Sequence, residues 1–493
     1  MKASHWGVAL SLWGCMVLFG CGQAQQASKD VSSSAGKTAA ANGKAANGAE
    51  ANGKAANGNS ANGAATNGNS ANGEAHTDDA TTVASAAQDD ATDNEATEEG
   101  GVVTVIEPGP GAQKDAQEAL IYAEPGDVIE FAEGEFNLTK TLSLDGIENV
   151  TIRGQGMDKT ILKFATQQKG TGGEGIKITA SKFTIEDLTL QDTPGDALKI
   201  EGAKGVTIRR IKTWWSSGPR AENGAYGIYP VLSEDVLVEH CVAECASDAG
   251  VYVGQSKNII VRHNRAERNV AGIEIENCIG ADVYENVATN NTGGLLVFSL
   301  PGLKLKNGSK CRVYNNKVYD NNHDNFASPG NMVATVPPGT GMSLMANDRV
   351  EVFDNEVRNH KSTNCYIISF FTTQRKFNDP EYDPYPEAIS IYDNTFAEGG
   401  YDPQKAWAEV VAYMPDGKLP DIVYDGMIDE KKLVDGKLPP EKQIFIGDNG
   451  EFSFANIDFG KLLANEKPQP NFDREPYANP LPKLAAISIP GVK

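Results

Sequence analysis

A repeated segment, rather than any single motif, most constrains the fold of this chain. Eight short apolar segments end at equivalent positions, and these positions follow one another at intervals of 23, 30, 23, 22, 30, 39 and 39 residues. The positions are Leu188, Ile211, Cys241, Asn264, Asn286, Asn316, Asn355 and Asn394. A recurring interval in the twenties, lengthened where loops are inserted, predicts stacked structural repeats rather than one globular core.

The spacing inside each repeat indicates what the repeating unit is. Apolar residues alternate with other residues, as in Val236-Leu-Val and Ile259-Ile-Val, and this alternation is typical of strands rather than helices. A second short strand is predicted before each of these segments, beginning at a small residue. The small residues are Ala197, Gly227, Gly250, Gly272, Gly294 and Gly341. Two or three short strands in a 22-residue turn leave no room for a helix, so each repeat is predicted to be one coil of a parallel β-helix.

The pattern resembles the right-handed parallel β-helix superfamily, whose members include pectate lyase-like and alginate-modifying proteins. The resemblance covers residues 101–460. It implies an all-β fold, a single-stranded right-handed parallel β-helix with capped ends, because an open stack exposes its core and strand edges. A helix at 112–123 is predicted to cap the N-terminal end, and an irregular segment the C-terminal end. A leucine-rich repeat has a similar length, but its leucine pattern is absent.

The repeated asparagines and glycines are predicted to be structural. Neighbouring strands lie about 4.8 Å apart, so five equivalent asparagines should stack as a ladder of side-chain amides, each bonding to the next. The glycines should form a second column because a tight corner favours a residue without a Cβ atom. A third column of charged and aromatic residues, from Arg209 to Tyr392, is predicted to stabilise the sheet through stacked pairs. These residues are therefore poor candidates for catalysis.

The N-terminus predicts the cellular compartment. Lys2 precedes an apolar stretch that ends in Leu18-Phe19-Gly20-Cys21, and this arrangement resembles a bacterial lipoprotein signal. The resemblance implies a signal peptide at residues 1–20 and acylation of Cys21, with Cys15 as a weaker second choice. The apolar run is too short to remain as a membrane-spanning helix. Gly22 after the cysteine favours the outer membrane, so a lipid-anchored protein of the bacterial cell envelope is expected.

Amino-acid composition predicts the remaining domain boundaries. Residues 21–100 contain almost no large apolar side chains and are predicted to form a disordered Ala/Asn/Gly-rich acidic tether. The β-helix domain is expected at 101–400, followed at 401–493 by a late coil and a cap. The stretch 443–449 looks like one more strand and corner of that late coil.

Charge and cysteine content limit the partners. The formal net charge is −22, and the chain has no basic stripe interleaved with aromatics, which argues against nucleic-acid binding. An anionic polysaccharide would need a local basic patch or calcium.

The five cysteines after Cys21 are an odd number, so buried free thiols are expected rather than a disulfide framework. A monomer is expected, and no residues have the spacing of a zinc site.

Outward side chains on the strand after the glycine column are the candidates for function. By alternation, one residue per coil points outward, and loops are inserted at both ends of this strand. The column reads Lys199, Tyr229, Tyr252, Glu274, Leu296 and Ser343, and the loops span 214–225, 301–310, 319–339 and 372–387. Loops at both edges of one face predict a groove with that face as its floor.

The residue types along this groove suit a sugar polymer. Tyrosine and tryptophan rings offer faces on which sugar rings stack, and general acid–base catalysis needs two proton-transferring groups beside the scissile bond. The candidate catalytic residues are Glu274, Tyr252, Asp248, His240 and His263. The candidate substrate-binding residues are Lys199, Tyr229, Trp214, Trp215 and Arg220. The ordinary alternative is that these side chains are solvated surface.

Two classes of function follow. The first is a membrane-anchored polysaccharide lyase, epimerase or hydrolase, and the second is a non-catalytic carbohydrate-binding or surface protein. The sequence lacks the Asp-Pro-His segment of alginate epimerases and the clustered aspartates of polygalacturonases, so the reaction is left open. Ca²⁺ is the one candidate cofactor. The loop Asp320–Asn325 could bind it through oxygen atoms, although Asn/Asp-rich segments usually form ordinary turns.

Overall fold

The computed structural model describes residues 101–167, 172–404 and 407–492, and the predicted signal peptide, Cys21 and tether lie outside them. Two parallel sheets wind around a continuous apolar core. The smaller sheet has eleven strands, one from each coil. These strands are β4 (Leu142–Leu144), β7 (Ile176–Ile178), β9 (Leu198–Glu201), β11 (Ile228–Val231), β14 (Ala249–Gly254), β17 (Ala271–Glu276), β20 (Gly293–Phe298), β23 (Thr340–Met345), β26 (Thr363–Ile368), β29 (Ile422–Tyr424) and β31 (Phe454–Asn456).

The larger sheet has twenty strands, and most coils contribute two strands to it. They are β1 (Val103–Ile106), β2 (Val128–Phe131), β3 (Gly134–Asn137), β5 (Thr151–Arg153), β6 (Thr160–Lys163), β8 (Phe183–Gln191), β10 (Lys204–Trp214), β12 (Glu234–Glu239), β13 (Val242–Glu244), β15 (Lys257–Arg262), β16 (Arg265–Glu267), β18 (Ile279–Tyr284), β19 (Val287–Thr289), β21 (Ser309–Tyr314), β22 (Lys317–Tyr319), β24 (Asp348–Phe353), β25 (Glu356–His360), β27 (Glu387–Tyr392), β28 (Thr395–Gly399) and β30 (Phe445–Ile446).

The strand register follows the sequence repeat. Val236 pairs with Ile259, which pairs with Ala281 of the next coil, and every named strand pair is parallel. Inward residues such as Ile273 and Leu295 are fully buried. The predicted all-β parallel β-helix is thus confirmed, with three strands in a full coil.

The asparagine ladder is also confirmed. The Asn264 side-chain amide donates to Asn286 Oδ1 at 3.0 Å, and the next links, through Asn316, Asn355 and Asn394, measure between 2.8 and 3.0 Å. Each Oδ1 atom also accepts the backbone N–H of the preceding ladder residue, as in the 3.0 Å bond from Asn286 N to Asn316 Oδ1. The ladder continues to Asn449 in the late coil, where Asn394 Nδ2 donates at 2.9 Å.

A second ladder lies at the next corner, and it explains the glycine column. Asn269 Nδ2 donates to Asn291 Oδ1 at 3.1 Å, and Asn291 Nδ2 donates to Asn321 Oδ1 at 2.9 Å. A Cβ atom at Gly272 would come within 2.8 Å of Asn291 Nδ2, and one at Gly250 within 2.6 Å of Asn269 Nδ2. Glycine is therefore required at Gly250, Gly272 and Gly294 because a buried amide occupies the space beside each of them.

Helix α1 (Ala112–Tyr122) covers the N-terminal end, as predicted. Its buried face contains Ala112, Ala116 and Leu120. The Gln117 side chain acts as a strand partner for Ser143: its Nε2 donates to the Ser143 carbonyl at 3.0 Å, and its Oε1 accepts the Ser143 N–H at 2.9 Å. The Gln117 amide therefore satisfies backbone hydrogen-bonding groups at the edge of β4 that would otherwise lack a strand partner.

The C-terminal part adds helices α2 (Ala408–Val411) and α3 (Phe459–Leu463) and an extended segment that runs back across the larger sheet. In that segment, the Leu484 N–H donates to Glu351 and the Ile487 N–H donates to Asp282. No helix among the described residues is long and apolar enough to cross a membrane.

The prediction of buried free thiols is confirmed for the described cysteines. All are free and buried, and they are Cys241, Cys245, Cys278, Cys311 and Cys365.

Candidate functional site

The outward column predicted on the smaller sheet exists, but much of it is covered. Lys199 pairs with Tyr229, and Tyr252 pairs with Glu274, as the alternation requires. Lys199 and Tyr229 are partly exposed, whereas Tyr252 and Glu274 are 4% and 3% exposed. The column therefore passes from surface to interior between β11 and β14.

The predicted open groove is wrong for the C-terminal half of this sheet. Leu296 and Ser343 were expected to form part of its floor, but they are 4% and 8% exposed. The inserted loops pack onto the sheet and bury its apolar side chains instead of standing at its edges. Burial of apolar area stabilises this closed arrangement.

Three tyrosine rings form the wall of the site at the point where the column becomes buried. The rings of Tyr226, Tyr229 and Tyr252 lie with centroids 4.4, 4.7 and 4.9 Å apart. Lys199 Nζ lies 5.4 Å from the centre of the Tyr229 ring. A Cβ atom at Gly254 would collide with the Tyr252 phenol, so the glycine leaves the space in which that ring lies.

Three carboxyl groups lie next to the tyrosines, on β17 and on the residue before β14. Tyr252 Oη donates to Glu276 Oε2 at 2.6 Å, and the Tyr226 hydroxyl hydrogen-bonds to Asp248. None of the described residues donates a hydrogen bond to the Glu274 carboxyl group, although the residue is only 3% exposed. Its oxygens are not among the fully buried unpaired atoms, so they keep a small contact with solvent. A buried carboxyl group without a donor is costly to ionise.

Burial and mutual repulsion raise the pKa values of these carboxyl groups. Burial, together with the Asp248 and Glu276 carboxylates, holds the pKa of Glu274 well above its ordinary value. Burial also raises the pKa of Asp248, and it raises the pKa of Glu276 to about 7 against a stabilising bond from Tyr252. Near the partly exposed Lys199, burial raises the pKa of Asp196 to about 6, although the charge of Lys199 opposes this shift. Perturbed carboxyl groups in one place are typical of acid–base sites.

The pH dependence of stability follows from Glu276. Folding raises the pKa of Glu276 from 4.5 to about 7, so the folded state binds the extra proton between these values. The free energy of unfolding should therefore fall as pH rises from about 4.5 to about 7, by on the order of 3 kcal/mol for this group. Glu276→Gln should abolish this contribution, making the variant more stable than the unchanged protein at pH 8 but not at pH 4.5.

Urea unfolding at both pH values measures this difference. The matched control is Glu148→Gln, an exposed glutamate paired with Lys182 at 2.8 Å, and this change should shift stability little at either pH. Equal effects of Glu276→Gln at pH 4.5 and pH 8 would contradict the prediction.

The structure does not bring the two histidines to this cluster. His240 and His263 stack on each other, with centroids 4.7 Å apart, at the corner of the first asparagine ladder. Both are exposed, and His263 Nδ1 lies 3.0 Å from Glu285 Oε2. They belong to the turns of the larger sheet, so their predicted role as catalytic bases has no geometric support.

The two tryptophans predicted to bind substrate lie outside the outward column. Trp214 lies on β10 in the larger sheet, with Lys212 Nζ 5.6 Å from its ring centre. Trp215 is buried in the core, where its Nε1 donates to the Thr193 carbonyl at 2.7 Å, so its role is structural. Arg220 is exposed in the loop before β11.

Two site residues were missed by the sequence analysis. Glu276 lies two positions after Glu274 on the same strand, and residues two apart on a strand share a face. The alternation could therefore have identified it. Tyr226 precedes a glycine of the column and belongs to the end of an inserted loop, where no periodicity applies.

The predicted calcium loop uses its side chains internally. Asn321 is part of the second ladder, and Asn325 Nδ2 donates to the carbonyls of Val333 and Val336 at 3.0 and 2.9 Å. These bonds favour the turn interpretation of the loop.

A different group of carboxylates has the spacing of a metal site. One oxygen from each of Asp348, Asp383 and Glu387 lies within 4.8 Å of the others. Lys432 pairs with Asp383 and Glu387, and Lys442 lies 2.5 Å from Glu387, so ammonium groups already balance this charge.

The protein is thus a parallel β-helix that carries a site lined by carboxyl groups and tyrosines on its smaller sheet. The family model described as "Right handed beta helix region" matches residues 145–300 and 221–378. These residues match the right-handed β-helix model, and this match agrees with the predicted handedness.

Comparisons with whole proteins add little. No curated protein matched the sequence. The A-module of the mannuronan C-5 epimerase AlgE6 from Azotobacter vinelandii is 14% identical, with a TM-score of 0.42 over 69% of this chain and 88% of that chain. An alginate lyase from Paenibacillus sp. str. FPU-7 is 16% identical, with a TM-score of 0.40 over 60% of this chain and 98% of that one. Both similarities are too low to bear on activity.

Proposed function

We propose that this protein cleaves glycosidic bonds of a polysaccharide by general acid–base catalysis at the carboxyl cluster. The observation that carries the proposal is Glu274, a carboxyl group that is 3% exposed and accepts no hydrogen bond from any described residue. A structural carboxyl group in such a place would be paired, because an unpaired one destabilises the fold. An unpaired one is poised to contact something that enters the site.

The surrounding groups suggest a division of roles. Burial and the neighbouring carboxylates hold the pKa of Glu274 well above its ordinary value, which favours the protonated form that a general acid needs, so we assign Glu274 this role. Asp248, whose charge interacts with that of Glu274, is the candidate base or nucleophile. Glycoside hydrolysis requires one protonated and one ionised carboxyl group. Burial raises the pKa of Asp248 to about 7, so this group still ionises near neutral pH and can take the second role. Tyr229 and Lys199, which are partly exposed, would contact the sugar.

The charge balance favours an uncharged glycan. Asp196, Asp248, Glu274 and Glu276 surround the site, and Lys199 is the cation that acts on Asp196. A polyuronate would add carboxylates to this acidic place, and like charges close together are unfavourable. Hydrolysis requires proton transfer to the leaving sugar oxygen, and this step needs no carboxylate on the substrate. We therefore favour hydrolysis of a neutral polymer over lyase or epimerase reactions on a polyuronate.

We also propose that the protein acts in the bacterial cell envelope as a monomer held at the outer membrane through acylated Cys21. The signal-like residues that motivate this proposal are Leu18-Phe19-Gly20-Cys21. Such an anchor would keep the site close to envelope or extracellular polysaccharides.

The proposal is tested by incubating the purified protein with neutral and uronate polysaccharides, with and without calcium. New reducing ends without unsaturated products, from a neutral glycan and without a calcium requirement, are expected. Unsaturated products from a uronate would replace hydrolysis with a lyase. Binding without any product would favour the non-catalytic alternative.

A further inference from the structure

The C-terminal half of the smaller sheet carries a fixed roof. Three loops, 301–308, 320–339 and 369–386, lie over the outward side chains of β20 and β23 and the end of β26. The side chains beneath or within this roof form one apolar cluster. Among its buried members are Leu296, Phe298, Val333, Met345, Phe370 and Tyr382.

Polar contacts join the loops to one another and to the sheet. Lys306 pairs with Asp379, and Asn307 Nδ2 donates to the Glu381 carbonyl at 2.7 Å, which joins the first loop to the third. Arg375 donates to the Gly330 carbonyl at 3.2 Å, which joins the third loop to the second. Tyr382 Oη donates to the Ser299 carbonyl at 2.6 Å and attaches the roof to the end of β20. Three loops that bond to one another resist separation more than a single loop would.

The other side of the site is open. Going from Tyr229 toward the N-terminal coils, the outward column continues through Lys199 and Lys177. The Lys177 side chain is 35% exposed, and both lysines lie on the same face of neighbouring strands. The outward column is therefore accessible on one side of Tyr252 and covered on the other.

Tyr252 and Glu274, which are 4% and 3% exposed, lie between the open half and the roof. The residue next to Glu274 in the column toward the N-terminus is Tyr252, and the next residue toward the C-terminus is Leu296, which lies under the roof. The next outward residues, Leu296 and Ser343, are 4% and 8% exposed, so a chain lying along the column has no open path past Glu274.

We propose that this site acts on the end of a glycan chain, which lies over β7, β9 and β11 and extends past Tyr229 so that its terminal sugar reaches Glu274 at the edge of the roof. The inference rests on the proposed function, since it uses the same carboxyl groups. In the cleavage step, Glu274 gives its proton to the oxygen of the glycosidic bond as the bond from the anomeric carbon to that oxygen breaks. Water supplies the new carbon–oxygen bond, and its proton goes to Asp248.

Product lengths and binding stoichiometry test this inference on the full chain. The probes are neutral gluco- and manno-oligosaccharides of two to eight sugars, labelled at the reducing end with 2-aminobenzamide, and the matching polymers. We expect products of one short length, slow loss of polymer viscosity, and binding of one Glu274→Gln protein per chain whatever the chain length.

The outcomes separate the two proposals. Products of mixed length, or several proteins bound per long chain, would overturn end recognition while leaving hydrolysis intact. One protein per chain without any product would support end recognition and overturn hydrolysis. Neither binding nor product with any probe would overturn both.

A pair of variants tests the role of the roof. Lys306→Ala removes the ion pair with Asp379 and should shift the products from one length toward several. Lys304→Ala, an exposed lysine of the same loop, should leave the single product length unchanged. A single, unchanged product length from Lys306→Ala, as from Lys304→Ala, would show that the roof does not determine where the chain is cut.

Discussion

Glu274→Gln should reduce the rate of glycan cleavage by about 10² to 10⁴-fold, the range that a general acid typically contributes. Glutamine has nearly the same shape but cannot give up a proton to a leaving oxygen. Because Glu274 accepts no hydrogen bond from a described residue, the change breaks no hydrogen bond of the fold. The rate is measured as new reducing ends per enzyme, with the substrate that the polysaccharide panel identifies.

Stability separates a catalytic effect from a structural one. Glu274→Gln removes a group whose ionisation in the folded state is unfavourable, so above neutral pH the variant should be at least as stable as the unchanged protein. Glu234→Gln is the matched control, since Glu234 is exposed and pairs with Lys204 at 2.6 Å on the larger sheet. A variant that keeps full activity, or loses it only by unfolding, would rule out Glu274 as the acid.

Asn316→Ala should lower the free energy of unfolding by roughly 3 to 5 kcal/mol, because it leaves several buried groups without partners. Asn316 Oδ1 accepts both Asn286 N and Asn286 Nδ2 at 3.0 Å. Its Nδ2 donates to the Val283 carbonyl and to Asn355 Oδ1, each at 2.9 Å. Alanine replaces none of these bonds, and the polar groups around it remain in the core, away from water.

Urea unfolding followed by circular dichroism measures the effect, with the midpoint and the slope compared between variants. Lys317→Ala, the exposed neighbour on β22, is the control and should change stability by less than about 0.5 kcal/mol. If Asn316→Ala were no more destabilising than this control, the ladder would not be a main source of stability.

The candidate site was only partly predictable. Alternation correctly placed Tyr252 and Glu274 in one outward column, because the pairing of parallel strands follows the repeat. It could not reveal that both are buried, since the roof that covers the neighbouring strands comes from loops whose conformation the repeat does not determine. His240 and His263 stack as the repeat predicts, but at a corner of the larger sheet, away from the acids.

The sequence by itself determined the coil, the strand register and the first asparagine ladder. Parallel strands place equivalent residues of successive repeats about 4.8 Å apart, so a regular interval in the chain is enough to predict which residues are neighbours. Only the tertiary structure decided which part of the outward face is open and which is covered. That outcome depends on contacts such as Lys306 with Asp379, 73 residues apart in irregular segments, where side-chain packing rather than a repeating backbone pattern selects the conformation.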